Sequence, residues 1–136
     1  MSDDNIAVVR RFWSSPIGEL ATVVDANVDY RAVEGAPDDV GVMHGHDAFV
    51  RYLTDWAQTF ADFTTYLEDA EAVGDDKVIA LGRVSGRARA SGVETELRLA
   101  VLYTVRDGRI VRGREYMTKD EALAAAAQLD ADDSTG

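Results

Sequence analysis

Two periods divide the apolar positions of the chain, a helical one first and a strand-like one second. Ile6, Val9, Phe12 and Trp13 recur at helical spacing. They predict a helix that starts at Ser2 or Asp3, where a cap and favourable acids stand, and runs to about Ser15, ahead of Pro16. Gly18 to Ala26 reads as a short second helix on Leu20, Val23 and Val24. An extended stretch from Val28 to Val33 and a loop from Gly35 to Gly41 follow. The clearest helix opens at His46 or Asp47: Phe49, Tyr52, Leu53, Trp56 and Phe60 share one face, and Arg51, Asp55 and Gln58 fall off it.

After Asp62 the period drops to two. Phe63–Val73, Val78–Ala90, Glu94–Arg106 and Arg109–Met117 are four successive strand candidates. Gly74-Asp75-Asp76, Ser91-Gly92 and Asp107-Gly108 connect them with residues that tolerate the positive φ of tight turns, which predicts an antiparallel meander. Thr118 and Glu121 have the spacing of a capping box for a last helix through Ala122 to Leu129; residues 130–136 read as a disordered acidic tail. In Glu94–Arg106, one face carries Leu97, Leu99, Val101, Tyr103 and Val105 and should meet the helices. The other carries Arg98, Ala100, Leu102 and Thr104, and a half-apolar face of this kind predicts partial cover by another subunit. Val78-Ile79-Ala80-Leu81 is apolar on both faces.

Composition narrows the class. With 136 residues and 46% of them hydrophobic, the chain holds one domain, residues 1–129, with a real core. A net charge of −11 argues against nucleic acid as a partner. No apolar run approaches the roughly 20 residues that span a bilayer, and the N-terminus is acidic where a secretory signal is basic, so the expectation is a cytoplasmic protein without a membrane partner. The absence of cysteine removes disulfides, thiol catalysis and cysteine-bound zinc. His44-Gly45-His46-Asp47 offers two imidazoles but no third ligand, and reads as a turn and helix cap; no metal is expected. Neither a Gly-rich phosphate loop nor a nucleophile elbow is present.

Three helices, a bent meander, and the segments Val28-Asp29-Tyr30, Gly45, Arg106–Ile110 and Arg114-Glu115-Tyr116 together resemble the nuclear transport factor 2-like superfamily over residues 4 to 128. The nearest branch is the SnoaL-like one, which includes polyketide cyclases. The resemblance implies an α+β fold: a curved antiparallel meander wrapped around N-terminal helices to form a cone with an internal pocket. It also implies a homodimer through the outer sheet face.

A pocket of that kind is the default small-molecule site. If Leu97, Leu99, Val101 and Tyr103 point inward, consistent pairing brings in Ile79, Leu81, Arg83, Ser85 and Arg87 from the preceding strand. It brings in Val111, Gly113, Glu115 and Met117 from the following one. A register slip of one residue would turn the set outward. Glu115 and Arg83 are then the candidate catalytic residues. Tyr30, Ser85, Leu99, Tyr103, Trp13, Trp56, Phe60 and Met117 are the candidates for substrate contact. Limonene-epoxide-hydrolase-like relatives imply the same set in part: Tyr30, Arg83 and Glu115 match, while Ala32 and Ser85 stand where that branch has Asn and Asp. Two readings of the pocket stay open, beside a third in which the sheet surface mediates protein association and the cavity is incidental. One is cofactor-free acid–base chemistry (isomerase, cyclase or epoxide-hydrolase type) on a hydrophobic oxygenated substrate; the other is a non-catalytic binding protein for an apolar small ligand. In the plainer structural account, Arg83 and Glu115 form a cross-strand ion pair and the aromatics simply pack.

Overall fold

The computed structural model describes residues 2–36 and 39–135, and side chains within 3–36 and 39–129. Helix α1, Ser2–Ser14, ends ahead of Pro16 as its spacing predicts; Asp3, one candidate cap, lies inside the helix, and the side chain of Ser2, the other, lies outside the described residues. The second helical segment is shorter and tighter than the sequence suggests. It is a 3-10 helix, Ile17–Thr22, after which the chain passes directly into strand β1, Val24–Arg31. Val23 and Val24 are buried at this junction, where their branched side chains suit extended backbone better than helix.

Strand β2 is the pair Met43–His44, and helix α2 spans Gly45–Thr59. The helix starts one or two residues earlier than expected because Gly45, at φ +84°, makes the corner that a residue with a Cβ would resist. Phe60, predicted on the helix, already begins β3, Phe60–Val73. Strands β4, Lys77–Ala88, β5, Glu94–Arg106, and β6, Arg109–Tyr116, complete the meander. Asp107 and Gly108 both take positive φ, the conformation of a two-residue hairpin turn. Helix α3, Lys119–Thr135, starts at the predicted box: the Glu121 amide donates to Thr118 Oγ1, and that hydroxyl donates to Glu121 Oε1. Its backbone continues past Leu129, where a disordered tail was expected; the side chains beyond that point and Gly136 lie outside the described residues.

The six strands lie in the order β2-β1-β6-β5-β4-β3. All pairs are antiparallel except β1 with β6, so the meander is extended by a parallel neighbour that the sequence did not reveal. Register shifts near Asp62, near Glu68 and between Thr104 and Val105 bend the sheet, and it remains unclosed. Its inner face packs Val78, Ala80, Val101, Tyr103, Val105 and Ile110 against α1 and α2. Its outer face packs Ile79, Ala100 and Leu102 against Ala122 and Ala126 of α3. This corrects one expectation. Ala100 and Leu102 on the half-apolar face of β5 are covered by the chain's own last helix rather than by another subunit, while Arg98 on that face stays exposed. No helix among the described residues is long and apolar enough to cross a membrane.

Candidate functional site

Between the inner sheet face and the helices lies a cavity of about 140 Å³. Phe12 and Trp13 from α1, Ile17 and Leu20 from the 3-10 helix, and Leu53 and Trp56 from α2 form one side. Phe63, Val84, Leu99 and Val101 from the sheet form the other. An apolar cavity of roughly 150 Å³ admits one benzene ring, so this one accommodates about a single six-membered ring. Two glycines set the shape of its surroundings. A Cβ on Gly82 would fall 2.1 Å from Trp13 Cη2, and one on Gly113 would fall 2.5 Å from the Tyr30 ring. Both aromatic rings therefore approach the strand backbone where a Cβ would collide with them.

The polar groups converge at one end. Tyr30, on β1, donates to Glu115 Oε2 at 2.6 Å. Tyr52, on α2, donates to the same oxygen at 3.0 Å and lies 3.2 Å from Oε1. Two elements besides its own strand thus fix one carboxylate, and the 2.6 Å Tyr30 contact has the length of a charge-assisted O–H···O bond. Tyr103, on β5, accepts from the Trp13 indole N–H at 3.1 Å. No acceptor for its own hydroxyl proton lies among the described residues. Burial, and secondarily the Glu115 charge, push both Tyr30 and Tyr103 well above the ordinary phenol range, so both stay neutral donors. Val101 pairs with Glu115 and Tyr103 with Gly113, which makes Glu115 and Tyr103 diagonal neighbours on one face with Cβ atoms about 7 Å apart. A base and a hydrogen-bond donor at that spacing can contact two atoms of one small molecule.

Of the residues singled out from the sequence, the structure gathers Glu115, Tyr30, Tyr103, Leu99, Trp13 and Trp56 around this cavity. Four others go elsewhere. Arg83 is on the outer face, 4.7 Å above the Tyr66 ring and 3.8 Å from Glu96. Ser85 lies on that same face, opposite Glu96. Both corrections have one cause: Val84 pairs with Leu97 and Gly82 with Leu99, so the even-numbered residues of β4 face inward. Phe60 is buried behind Trp56, stacked on it at 5.8 Å, and does not line the cavity. Met117, just beyond β6, is 64% exposed. Ile110 rather than Val111 is buried, because the register shift beside Val105 reverses the parity there.

Tyr52 was read only as part of the apolar stripe of α2; a hydroxyl placed at the centre of a hydrocarbon face was the available signal. The 35–41 loop contributes nothing to the cavity wall among its described residues. His46 Nε2 donates to the Val24 carbonyl at 2.8 Å and His44 pairs with Asp29, so the two imidazoles tie α2 and β2 to β1 rather than cap the helix. Among the described residues no three His, Cys, Asp or Glu side chains form a group that could hold a metal ion.

A curved, unclosed sheet packed on N-terminal helices around an inner cavity is the architecture of the nuclear transport factor 2-like superfamily. The chain belongs to the SnoaL-like family, whose domain model matches residues 6–113. The uncharacterized protein Rv0034 of Mycobacterium tuberculosis (strain ATCC 25618 / H37Rv) is 36% identical over 123 residues, which cover 85% of this chain and 91% of that relative. Three solved structures share the fold. Bal32a, from a soil-derived mobile gene cassette, superposes with a TM-score of 0.75 at 18% identity, over 90% of this chain and 95% of that one. A protein from Jannaschia sp. CCS1 assigned as a SnoaL-like polyketide cyclase gives 0.73 at 15% identity, over 92% of each chain. TerC, co-crystallized with polyporic acid, gives 0.69 at 17% identity, over 91% of this chain and 98% of that one. At such identities the structural likeness speaks for the fold alone.

Proposed function

We propose that the chain binds a monocyclic, hydrophobic, oxygenated molecule in the inner cavity and moves a proton on it without a cofactor. One observation carries this reading: the Glu115 carboxylate, held by two tyrosine hydroxyls, borders the same apolar cavity as the Tyr103 hydroxyl. For a cyclic ketone, Glu115 takes a proton from the carbon next to the carbonyl, and the electron pair moves to the carbonyl oxygen. Tyr103 donates a hydrogen bond to the enolate oxygen so formed. Return of the proton to the same or a conjugated carbon gives exchange or isomerisation; attack of the enolate on a second carbonyl of the substrate gives cyclisation. In a low-dielectric cavity the neutral phenol is an effective partner for developing negative charge.

Arg83 has no part in this scheme, and the epoxide-hydrolase constellation loses its arginine along with the Asp and Asn it already lacked. A second reading, a binding protein that catalyses nothing, is favoured by one feature: Glu115 already accepts hydrogen bonds from two tyrosine hydroxyls of the protein. A panel of monocyclic ketones, enones and epoxides separates the two. Binding is followed by saturation-transfer NMR and product by mass spectrometry. Catalysis predicts product from at least one compound, with Glu115→Gln retaining binding and losing product. Binding without product across the panel supports the second reading, and neither binding nor product overturns both. We also infer a homodimer through the part of the outer face that α3 leaves open, where Tyr66 is 48% exposed beneath the Arg83 guanidinium. Sedimentation equilibrium at tens of micromolar tests it, and a monomer there contradicts it.

A further inference from the structure

On the outer side of the β1–β6 pair, behind the strand that carries Glu115, the chain gathers three guanidinium groups despite its net charge of −11. Arg31 pairs in register with Arg114, and Arg112 stands two positions along the same face of β6. Tyr116 and, from α3, Ala125 and Gln128 help enclose a cavity of about 240 Å³ beside them. The three arginines are not equivalent. Arg31 is committed to Asp39 through two hydrogen bonds, at 2.9 and 3.0 Å. Arg114 donates from Nη1 to the carbonyls of Asp29 and Gly113. Arg112 makes no hydrogen bond or ion pair among the described residues, and its Nε is buried without an acceptor.

The carboxylates nearby are already engaged or turned away. Asp39 takes Arg31 and the backbone N–H groups of Gly35 and Gly41, and Asp29 takes His44. Glu34 is 3.8 Å from Arg31, with its side chain 81% exposed. Burial, and then the Arg112 charge, lower the pKa of Arg114, and the Asp29 carboxylate offsets only part of this. A buried N–H donor without an acceptor costs free energy, and a guanidinium fork is shaped to receive two oxygens of one oxyanion.

We propose that this cavity binds the oxyanion group of a small molecule, a carboxylate or a phosphate, through Arg112 and Arg114. Glu115, engaged by Tyr30 and Tyr52, borders both cavities, but Arg112 and Arg114 take no part in the inner one, so failure of this proposal leaves the catalytic reading untouched. The test follows the arginine Nε–Hε resonances of the full chain during titration with sodium phosphate and, separately, sodium acetate. Ionic strength is held constant with sodium chloride. Saturable movement of the Arg112 resonance with either anion supports the proposal, and which anion saturates identifies the preferred group. Arg112→Gln should weaken that binding at least about tenfold, with circular dichroism confirming the fold. Arg112→Lys keeps the charge, loses the buried Nε donor, and should bind with intermediate strength. It supplies the comparison if the Gln variant does not fold. Three results each overturn the proposal: no saturation with either anion, a response that chloride alone reproduces, or variants that bind as the native chain does.

Discussion

Gly82→Ala tests the inner surface at its tightest point. The added Cβ would lie 2.1 Å from Trp13 Cη2 and under 3 Å from Cζ2 and Cζ3. Ordinary carbon contacts are about 3.6 Å, so the indole must retreat by about 1.5 Å. The Trp13–Tyr103 hydrogen bond, at 3.1 Å, does not survive a movement of that size. Overpacking costs about 1–3 kcal/mol and the lost hydrogen bond about 1 kcal/mol, offset by about 0.5–1 kcal/mol from replacing a strand glycine. A net loss of about 2 kcal/mol follows, read in urea as a midpoint lowered by about 1 M. The free volume open to the displaced indole is the cavity it lines, so binding of a ring-sized ligand should fall with stability. Trp13→Leu removes the colliding ring, and in that background the same glycine substitution should cost at least about 1 kcal/mol less. Ser85→Ala, on the outer face, should stay within about 0.5 kcal/mol of the native chain. Native-like stability of Gly82→Ala, or an unchanged cost beside Trp13→Leu, would refute the reasoning.

Three further outcomes follow from the same structure. Tyr30 and Tyr103 have folded-state pKa values above their unfolded value of about 10, so they contribute stability that is complete below pH 10 and declines as pH rises beyond it. Urea midpoints at pH 9 and 11 should show a smaller drop in Tyr103→Phe than in the native chain; equal drops contradict this. Asp39 is held well below the usual carboxylate range by the Arg31 hydrogen bonds and by the Gly35 and Gly41 amides, so its stabilisation is present above pH 4 and fades as pH falls further. Asp39→Asn should flatten the decline between pH 4 and 2, whereas an unaltered decline would assign it to other groups. Ala126→Asp places a charge where α3 meets Ile79, Ala100 and Leu102, and should lower the unfolding free energy by about 3 kcal/mol or more. A variant as stable as the native chain would show that this helix does not cover the sheet.

Much of the cone was legible because each level of the chain agrees with the others. The stripe of α2, the Asp107-Gly108 turn and the Thr118–Glu121 box each specify one local structure, and each is found where expected. Glu115 and Tyr103 were legible too, since β5 alternates clearly and its pairing with β6 carries Glu115 to the same face, although that parity fails nearer the turn, at Val111. Strand β4 was not. Its first half is apolar on both faces because α3 covers the outer one, so hydrophobicity cannot choose between them. Two of its inward positions, Gly82 and Gly86, carry no side chain at all; they lie against Trp13 and Phe60, which occupy the space instead. One residue of register separates the cavity position expected for Arg83 from its place on the outer face. Tyr52 escaped for a different reason, in that spacing shows which face a side chain occupies but not which partner its hydroxyl meets.

The central claim, that Glu115 moves a proton on a ring held in the inner cavity, is tested most directly by hydrogen–deuterium exchange into cyclohexanone. In D₂O, the α-proton signals of the ketone should decay in the presence of the native chain faster than in buffer alone. Glu115→Gln should return the decay to the buffer rate, and Tyr103→Phe should slow it by about 10²-fold relative to the native chain. Decay that proceeds equally with the Gln variant would mean that the carboxylate does no chemistry at this position.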